Sequence, residues 1–313
     1  MNDAPEIVVA GELFVDLIFS GFESWPQPGK ETFAQEFRRE IGGGAAITAC
    51  GLARLGSRVA VVGTVGQDAG EWVIQQLRLN RVKTEWMQFH PSEPTAITVA
   101  ATTPRDRAFL TYSGANRGLE PLLFEMIRLK QFRGVRHVHL AFAPRIESAE
   151  TLFQGLRESG CTVSLDLGWR EEWLSDERAF PLLRGIDIFF PNEVEARRLT
   201  GEERPEEILR VFGSTGITQV ALKLGCCGAA LLWGDEVTIL NTHPVPTVDT
   251  TGAGDCFDAG FLHAWLGGNS LQTCLQIANI CGALSTQAFG GIAGFPTPEQ
   301  LSRELLKTQL CAK

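Results

Sequence analysis

No apolar run in the 313-residue chain approaches the ~18 residues of a membrane-spanning helix. The first ten residues (MNDAPEIVVA) carry no basic stretch ahead of their apolar one, so neither a membrane anchor nor a secretory signal is expected. The eight cysteines include no C-x-x-C pair. They stand singly, mostly in apolar surroundings, apart from the adjacent Cys226 and Cys227, and read as reduced thiols of a cytoplasmic protein. Basic residues are in deficit: the formal net charge is −9 and no basic cluster interrupts it. That excludes nucleic acid as a partner of the surface as a whole, while a small anion held by a few local donors stays compatible. Internal repeats, low-complexity tracts and long charge runs are also absent. So are several nucleotide and hydrolase signatures. There is no G-x-x-x-x-G-K-[ST], no G-x-G-x-x-G and no G-x-S-x-G, which argues against a P-loop enzyme, a Rossmann dehydrogenase and a serine hydrolase. The five histidines are scattered, and no His/Cys cluster has zinc spacing. His137 and His139 would share one strand face and are expected to be structural.

What is present is an ordinary globular composition, 44% hydrophobic and 21% charged, with 33 glycines. The length fits two domains or one large α/β body with an excursion. Short buried-strand patterns occur at Glu6–Ala10, Val59–Val65, Val135–Leu140, Cys161–Leu167, Ile186–Phe190 and Val220–Leu224. Helical patterns separate them at Gly44–Leu55, Gly70–Asn80, Ala149–Ser159, Asn192–Leu199 and Ala259–Leu266. Such alternation predicts parallel βαβ units, a doubly wound, mostly parallel sheet flanked by helices, and ligands at the carboxyl ends of the strands. Two stretches break the alternation. Residues 11–40 show no convincing helix around Trp25-Pro26-Gln27-Pro28-Gly29, and residues 95–112 alternate as two strands joined at Thr103-Pro104-Arg105-Asp106. Together they predict a small β-sheet lid on a core made of residues 1–10, 41–94 and 113–313, suited to excluding water from a site.

The most informative segment is Val248–Leu266, VDTTGAGDCFDAGFLHAWL. Gly252 and Gly254 permit a tight turn that aims backbone N–H groups at one point, and such amides at a helix start form an anion site. Asp255, in the first helical turn, fits either a helix-capping acid or a base that takes a proton from a hydroxyl attacking phosphorus. Asn192 and Glu195 are similarly two-sided: N-x-x-E is the spacing of a capping box and also of an oxygen-donor pair for Mg²⁺.

In order and spacing these segments resemble the ribokinase-like (PfkB) carbohydrate kinases. Asp249–Leu262 looks like the family's C-terminal D-T-x-G-A-G-D motif, Ile41–Gly56 (IGGGAAITACGLARLG) its N-terminal motif, and Gly63–Gly70 the usual sequel. Gly11–Asp16, Asp106–Tyr112, Pro191–Glu195, Leu222–Gly228 and Ala278–Gly291 continue the series through nearly the whole chain. The resemblance implies a ribokinase-like fold, ATP and Mg²⁺ as cofactors, and transfer of the γ-phosphoryl group to a hydroxyl of a sugar or sugar-like molecule. Residue by residue, it makes Asp255 the catalytic base and the amides of Gly252, Ala253 and Gly254 the anion hole. It sets Asp16, Gly42, Gly43, Ile47 and Arg170 at the substrate. It sets Asn192, Glu195, Lys223, Gly225, Gly228 and Asn279 at the nucleotide, with Glu195 holding Mg²⁺ through water. Asp249, Thr251, Ala288 and Gly291 match the family's monovalent-cation loop, which implies K⁺. Two departures bear on the substrate. Ile47 stands where relatives carry a sugar-contacting Asn, and Gly168 replaces Asn in the segment Asp166-Leu167-Gly168-Trp169-Arg170. Arg170 fits a bridge between substrate and phosphate or a surface ion pair equally well. A nucleoside kinase of the same fold is the nearest alternative, followed by a sugar-binding protein without catalysis; an NAD-dependent oxidoreductase lacks its fingerprint. The lid edges are expected to offer a surface for a homodimer, although a monomer fits as well.

Overall fold

A computed structural model describes residues 5–22, 24–103, 107–217, 219–242 and 244–311. The chain runs β1 (Ile7–Gly11), β2 (Phe14–Ser20), β3 (Glu36–Gly42), α1 (Gly44–Arg54), β4 (Val59–Val65), α2 (Gly70–Leu79), β5 (Lys83–Phe89), β6 (Ile97–Thr102) and β7 (Arg107–Tyr112). It continues with α3 (Leu119–Arg128), β8 (His137–Ala141), α4 (Ile146–Glu158), β9 (Thr162–Asp166), α5 (Glu171–Ser175), α6 (Ala179–Leu182), β10 (Ile188–Phe189), α7 (Glu193–Thr200) and α8 (Pro205–Ser214). Last come β11 (Gln219–Lys223), β12 (Ala229–Trp233), β13 (Glu236–Leu240), α9 (Ala253–Leu266), α10 (Leu271–Ser285) and α11 (Pro298–Cys311).

Nine strands form one sheet in the order β13-β12-β11-β10-β9-β8-β1-β4-β5. All its pairings are parallel except those of β12, which runs against both β11 and β13. The first strand shows why the sheet is buried on both faces. Ile7 and Val9 point into one hydrophobic cluster with α1 and α9, and Val8 and Ala10 point into the other with α3, α4 and α8. A strand with apolar side chains on both sides is stable only between two helical layers. The chain leaves β1 toward β4 and β5, then returns to build β8 to β11 on the other side. Strand order therefore reverses beside β1, where α/β sheets open a crevice at their carboxyl ends.

The two stretches without helical pattern pair as expected. A four-stranded sheet in the order β3-β2-β6-β7 stands beside the main body, with β2 antiparallel to β3, parallel to β6, and β6 antiparallel to β7. Its β3 runs two residues past the predicted boundary at 40, because Ile41 and Gly42 are buried where the strand enters the core. Most of the turn expected at Thr103-Pro104-Arg105-Asp106 lies outside the described residues. His137 and His139 lie in β8 as structural groups: the ring of His137 is hydrogen-bonded to Thr162 (2.8 Å) and Ser164 (2.7 Å), and that of His139 to Ser164 (2.8 Å). Burial pushes His139 down to about 4, so both rings stay neutral in the core. Among the described residues no helix is long and apolar enough to cross a membrane.

Candidate active site

The turn before α9 is built by its glycines. Gly252 caps the helix with φ 72°, a left-handed conformation that a side chain would strain. The N–H of Ala253 donates back to the Thr250 carbonyl at 3.2 Å. That closes the turn and engages one of the three amides expected to form the anion hole. Thr48, from α1, donates its hydroxyl to the Asp255 carbonyl at 3.2 Å and ties the two helices together at this end.

Asp255 lies half-buried over the crevice. A Cβ on Gly44, the first residue of α1, would meet its Oδ1 at 2.6 Å, and the same Cβ would meet Ala141 at the carboxyl end of β8 at 3.4 Å. The carboxylate therefore sits above the strand ends where order reverses, against the start of a second helix. Burial raises it to about 7, the nearby charge of Asp166 adds to this, and Lys223 opposes it. A carboxyl poised near neutrality is suited to general-base work.

Two cavities meet beside this turn. One, of 320 Å³, is lined by Lys223, Gly225, Cys226, Gly228, Ala253, Gly254, Phe257 and Asn279 among others. Asn279 donates to the Leu240 carbonyl at 3.0 Å. The other, of 280 Å³, lies under the small sheet and is lined by Asp16, Ile18, Ser20, Glu36, Arg38, three threonines of β6 and its end, Phe109, residues 247–251 and Phe289. Thr247 and Thr250 line both. Asp16 packs so closely on Gly42 that a Cβ there would come within 2.1 Å of its Oδ2. Burial raises Asp16 to about 6, with help from Glu40 across the strand pair. Gly43, at φ 93°, has no room for a Cβ either, which would lie 2.2 Å from the Glu12 carbonyl.

Beside the first cavity is a buried ionic cluster. Lys223 reaches Asp166 at 2.5 Å and both oxygens of Asp258 at 3.3 and 3.4 Å. Asp166, Asp255 and Asp258 offer carboxylate oxygens within 4.8 Å of one another. Burial alone would raise Asp166, yet the ammonium and the N–H of Gly168 hold it down to about 2. Asn192 and Glu195 form the capping box of α7: Asn192 Oδ1 accepts the Glu195 N–H at 2.9 Å and Glu195 Oε2 accepts the Asn192 N–H at 3.0 Å. Burial raises Glu195 as well. A carboxamide and a carboxylate together are an oxygen-donor pair of the kind that suits a hydrated Mg²⁺, the carboxylate acting through the ion's waters. The capping reading is thus the one the hydrogen bonds show.

Other predicted residues go elsewhere. Ile47 is buried and fills the gap between Gly252 and Gly291, where its Cδ1 would lie 2.7 and 2.5 Å from a Cβ on either glycine. Arg170 pairs with Glu12 at 2.6 Å and lines a different cavity, of 350 Å³, with Asn116, Phe142 and Arg145. The expected cation loop is partly brought together. Asp249 accepts the N–H and hydroxyl of Thr251 (3.0 and 2.8 Å) and the N–H of Gly290 (3.0 Å), while the Gly291 carbonyl accepts the Cys256 thiol at 3.1 Å. Ala288 adjoins this loop, next to Phe289. Sequence reasoning did not single out Asp258, Arg38 or Phe289. The first left a signal: Asp255 and Asp258, three apart in a mostly apolar helix, share a face.

A family model described as pfkB family carbohydrate kinase matches residues 4–298. Among curated relatives, 2-dehydro-3-deoxygluconokinase of Bacillus subtilis is 31% identical over 280 residues, 85% of this chain and 86% of its own. Ribokinase of Arabidopsis thaliana is 31% identical over 305 residues, 94% of this chain and 79% of the relative. Among solved structures, Arabidopsis thaliana ribokinase complexed with ribose and ATP aligns with a TM-score of 0.83 at 28% identity, covering 96% of this chain and 99% of that one. A putative ribokinase II from E. coli shares the fold at a TM-score of 0.84 and 23% identity, covering 97% and 100%.

Proposed function

Because the chain belongs to the pfkB family of carbohydrate kinases, we propose that it moves the γ-phosphoryl group of ATP onto a hydroxyl of a sugar or sugar-like acid. The observation that carries this reading is the pair of cavities that share Thr247 and Thr250, just ahead of the Gly252–Gly254 turn, with Ala253 and Gly254 lining the first and Asp255 next in the chain. ATP occupies the cavity lined by Gly225, Gly228 and Asn279, its terminal phosphate facing the amides of Gly252 and Gly254 and the ammonium of Lys223. The acceptor lies under the small sheet, where Asp16 and the threonine hydroxyls suit a polyol. Asp255 takes the proton of the attacking hydroxyl. The helix start and Lys223 stabilise the charge that collects on the moving phosphoryl oxygens. Mg²⁺, held through water by Asn192 and Glu195, supplies charge neutralisation on the phosphates when bound. K⁺ at the Asp249–Thr251 and Ala288–Gly291 loops would steady the turn from below. The small sheet acts as the lid, excluding water from the transfer.

Relatives named for ribose and for 2-dehydro-3-deoxygluconate both act on polyhydroxylated acceptors, which supports a sugar over a nucleoside. The aromatic rings of Phe109 and Phe289 at the same cavity support the nucleoside reading. A coupled ADP-release screen over pentoses, hexoses, aldonic and 2-keto-3-deoxy acids and nucleosides, with K⁺ or with a large organic cation, decides among them. Turnover confined to one sugar class is the expected result. ATP binding without turnover of any acceptor would leave a binding protein.

A further inference from the structure

Asp258 has no part in the reaction as described, yet it is fully buried on α9 one turn behind Asp255. Its immediate neighbours in that helix, Phe257, Ala259, Phe261 and Leu262, are buried and apolar, so a carboxyl there needs partners. It has two. Lys223 Nζ lies 3.3 and 3.4 Å from its oxygens, and a side-chain hydrogen bond joins it to Asp166. Lys223 in turn is held from the other side by Asp166 at 2.5 Å. Its ammonium rests 3.4 Å from where a Cβ on Gly254 would stand, against the first turn of α9 and within the nucleotide cavity. Three carboxyls converge on this point and one ammonium answers them. Without Asp258 the lysine would keep its close contact with Asp166 but lose the carboxyl that holds its ammonium from the α9 side.

We infer that Asp258 is a positioning residue: by bridging Asp166 and Lys223 it keeps the Lys223 ammonium against the Gly252–Gly254 turn, where it meets the nucleotide phosphates. The inference rests on the kinase reading above. The bridge requires one group that donates to Asp166 and one that accepts from Lys223, which a neutral carboxyl provides and a carboxamide provides equally. Burial drives Asp258 well above the usual carboxylate range, in keeping with a protonated bridge. The other charged groups facing it are Asp255 on its own helix and, beyond Lys223, Glu195.

The test is a mutant cycle read by two independent measurements, kcat in the ADP-release assay and ATP affinity by calorimetry. Asp258→Ala is expected to lower kcat about tenfold or more and to weaken ATP by a similar factor, with acceptor KM moved less than twofold. Asp258→Asn should restore both to within about threefold. In a Lys223→Met background, Asp258→Ala should cost less than twofold further. Should Asp258→Ala fail to fold, Asp258→Leu, which fills the volume without a polar group, takes its place. Equal losses with and without Lys223 would overturn the inference, and so would a fall in Tm that leaves kcat and ATP affinity unmoved. The affinity arm needs no turnover, so a failed kinase reading and a failed bridge give different results.

Discussion

The two cavities are of comparable size, 320 and 280 Å³, but they are made of different material. The nucleotide side is walled by α9, α10 and the turn between β11 and β12, all parts of the main body with buried neighbours on their far side. The acceptor side is roofed by the small sheet, whose outer strands β3 and β7 are largely exposed: Phe37 is 57% accessible and Leu110 75%. Arg38 joins roof to floor by stacking its guanidinium 4.4 Å from the Phe289 ring, and Arg39 does the same on Trp72 at 3.9 Å. Cation–π contacts at exposed sites contribute about 0.5–1 kcal/mol each, against about 25 cal/mol for every Å² of apolar surface buried behind α9 and α10. On the proposed assignment, a well-buried frame would hold the nucleotide and a roof tethered by a few contacts would cover the acceptor.

Four changes would break or sharpen that contrast. The largest falls on the proposed base. Asp255→Asn should lower kcat by about 10²–10⁴, the range of a general base, while calorimetry finds ATP bound as before; near-normal turnover would remove Asp255 from the chemistry. The pH profile of the unsubstituted enzyme comes next. Only ionised Asp255 accepts a proton, and its pKa is raised to about 7, so acceptor kcat/KM should be level above that pH and fall about tenfold per unit below it. A profile flat from pH 8 to 5 would contradict this. Confined to the acceptor side, Gly42→Ala pushes a Cβ into the Asp16 carboxylate. Acceptor KM should rise about tenfold, as overpacking costs of 1–3 kcal/mol imply, with ATP affinity unchanged. The smallest effect belongs to the nucleotide side: Asn279→Ala removes one hydrogen bond to Leu240 and should raise ATP KM about fivefold, near the 1 kcal/mol usual for such a bond. If Gly42→Ala instead weakened ATP, or Asn279→Ala the acceptor, the division of labour between the two cavities would be wrong.

How much of this could be read from residues follows the same division. The nucleotide half is written in contiguous stretches, because amides of one turn or a capping box of one helix need only local sequence. The left-handed turn at Gly252 and the capping box of Asn192 and Glu195 were legible as local structure for that reason. The alternation of β1, β4 and β8 to β11 with helices was legible too, since each strand carries its own apolar run. Others were not. β5 (KTEWMQF) mixes charge into its run at the sheet edge, and β12 and β13 form a hairpin that a parallel pattern gives no reason to expect. Ile47 and Arg170 show the limit most clearly. Each had a place at the substrate by its motif with a packing or ion-pair role left open, and it is the long-range neighbours, Gly252 and Gly291 around Ile47 and Glu12 beside Arg170, that local sequence does not reveal. Asp258 left a signal in its spacing from Asp255, but the lysine it contacts comes from β11, 35 residues earlier in the chain.

Thr247 and Thr250 belong to the walls of both cavities, so the partition between them is a single length of backbone. A synthetic compound that joins an adenosine polyphosphate to a polyol through a short linker should therefore span the divide, and its affinity should exceed that of either fragment by orders of magnitude. The linker length that binds best would then serve as a ruler for the gap across which the phosphoryl group travels.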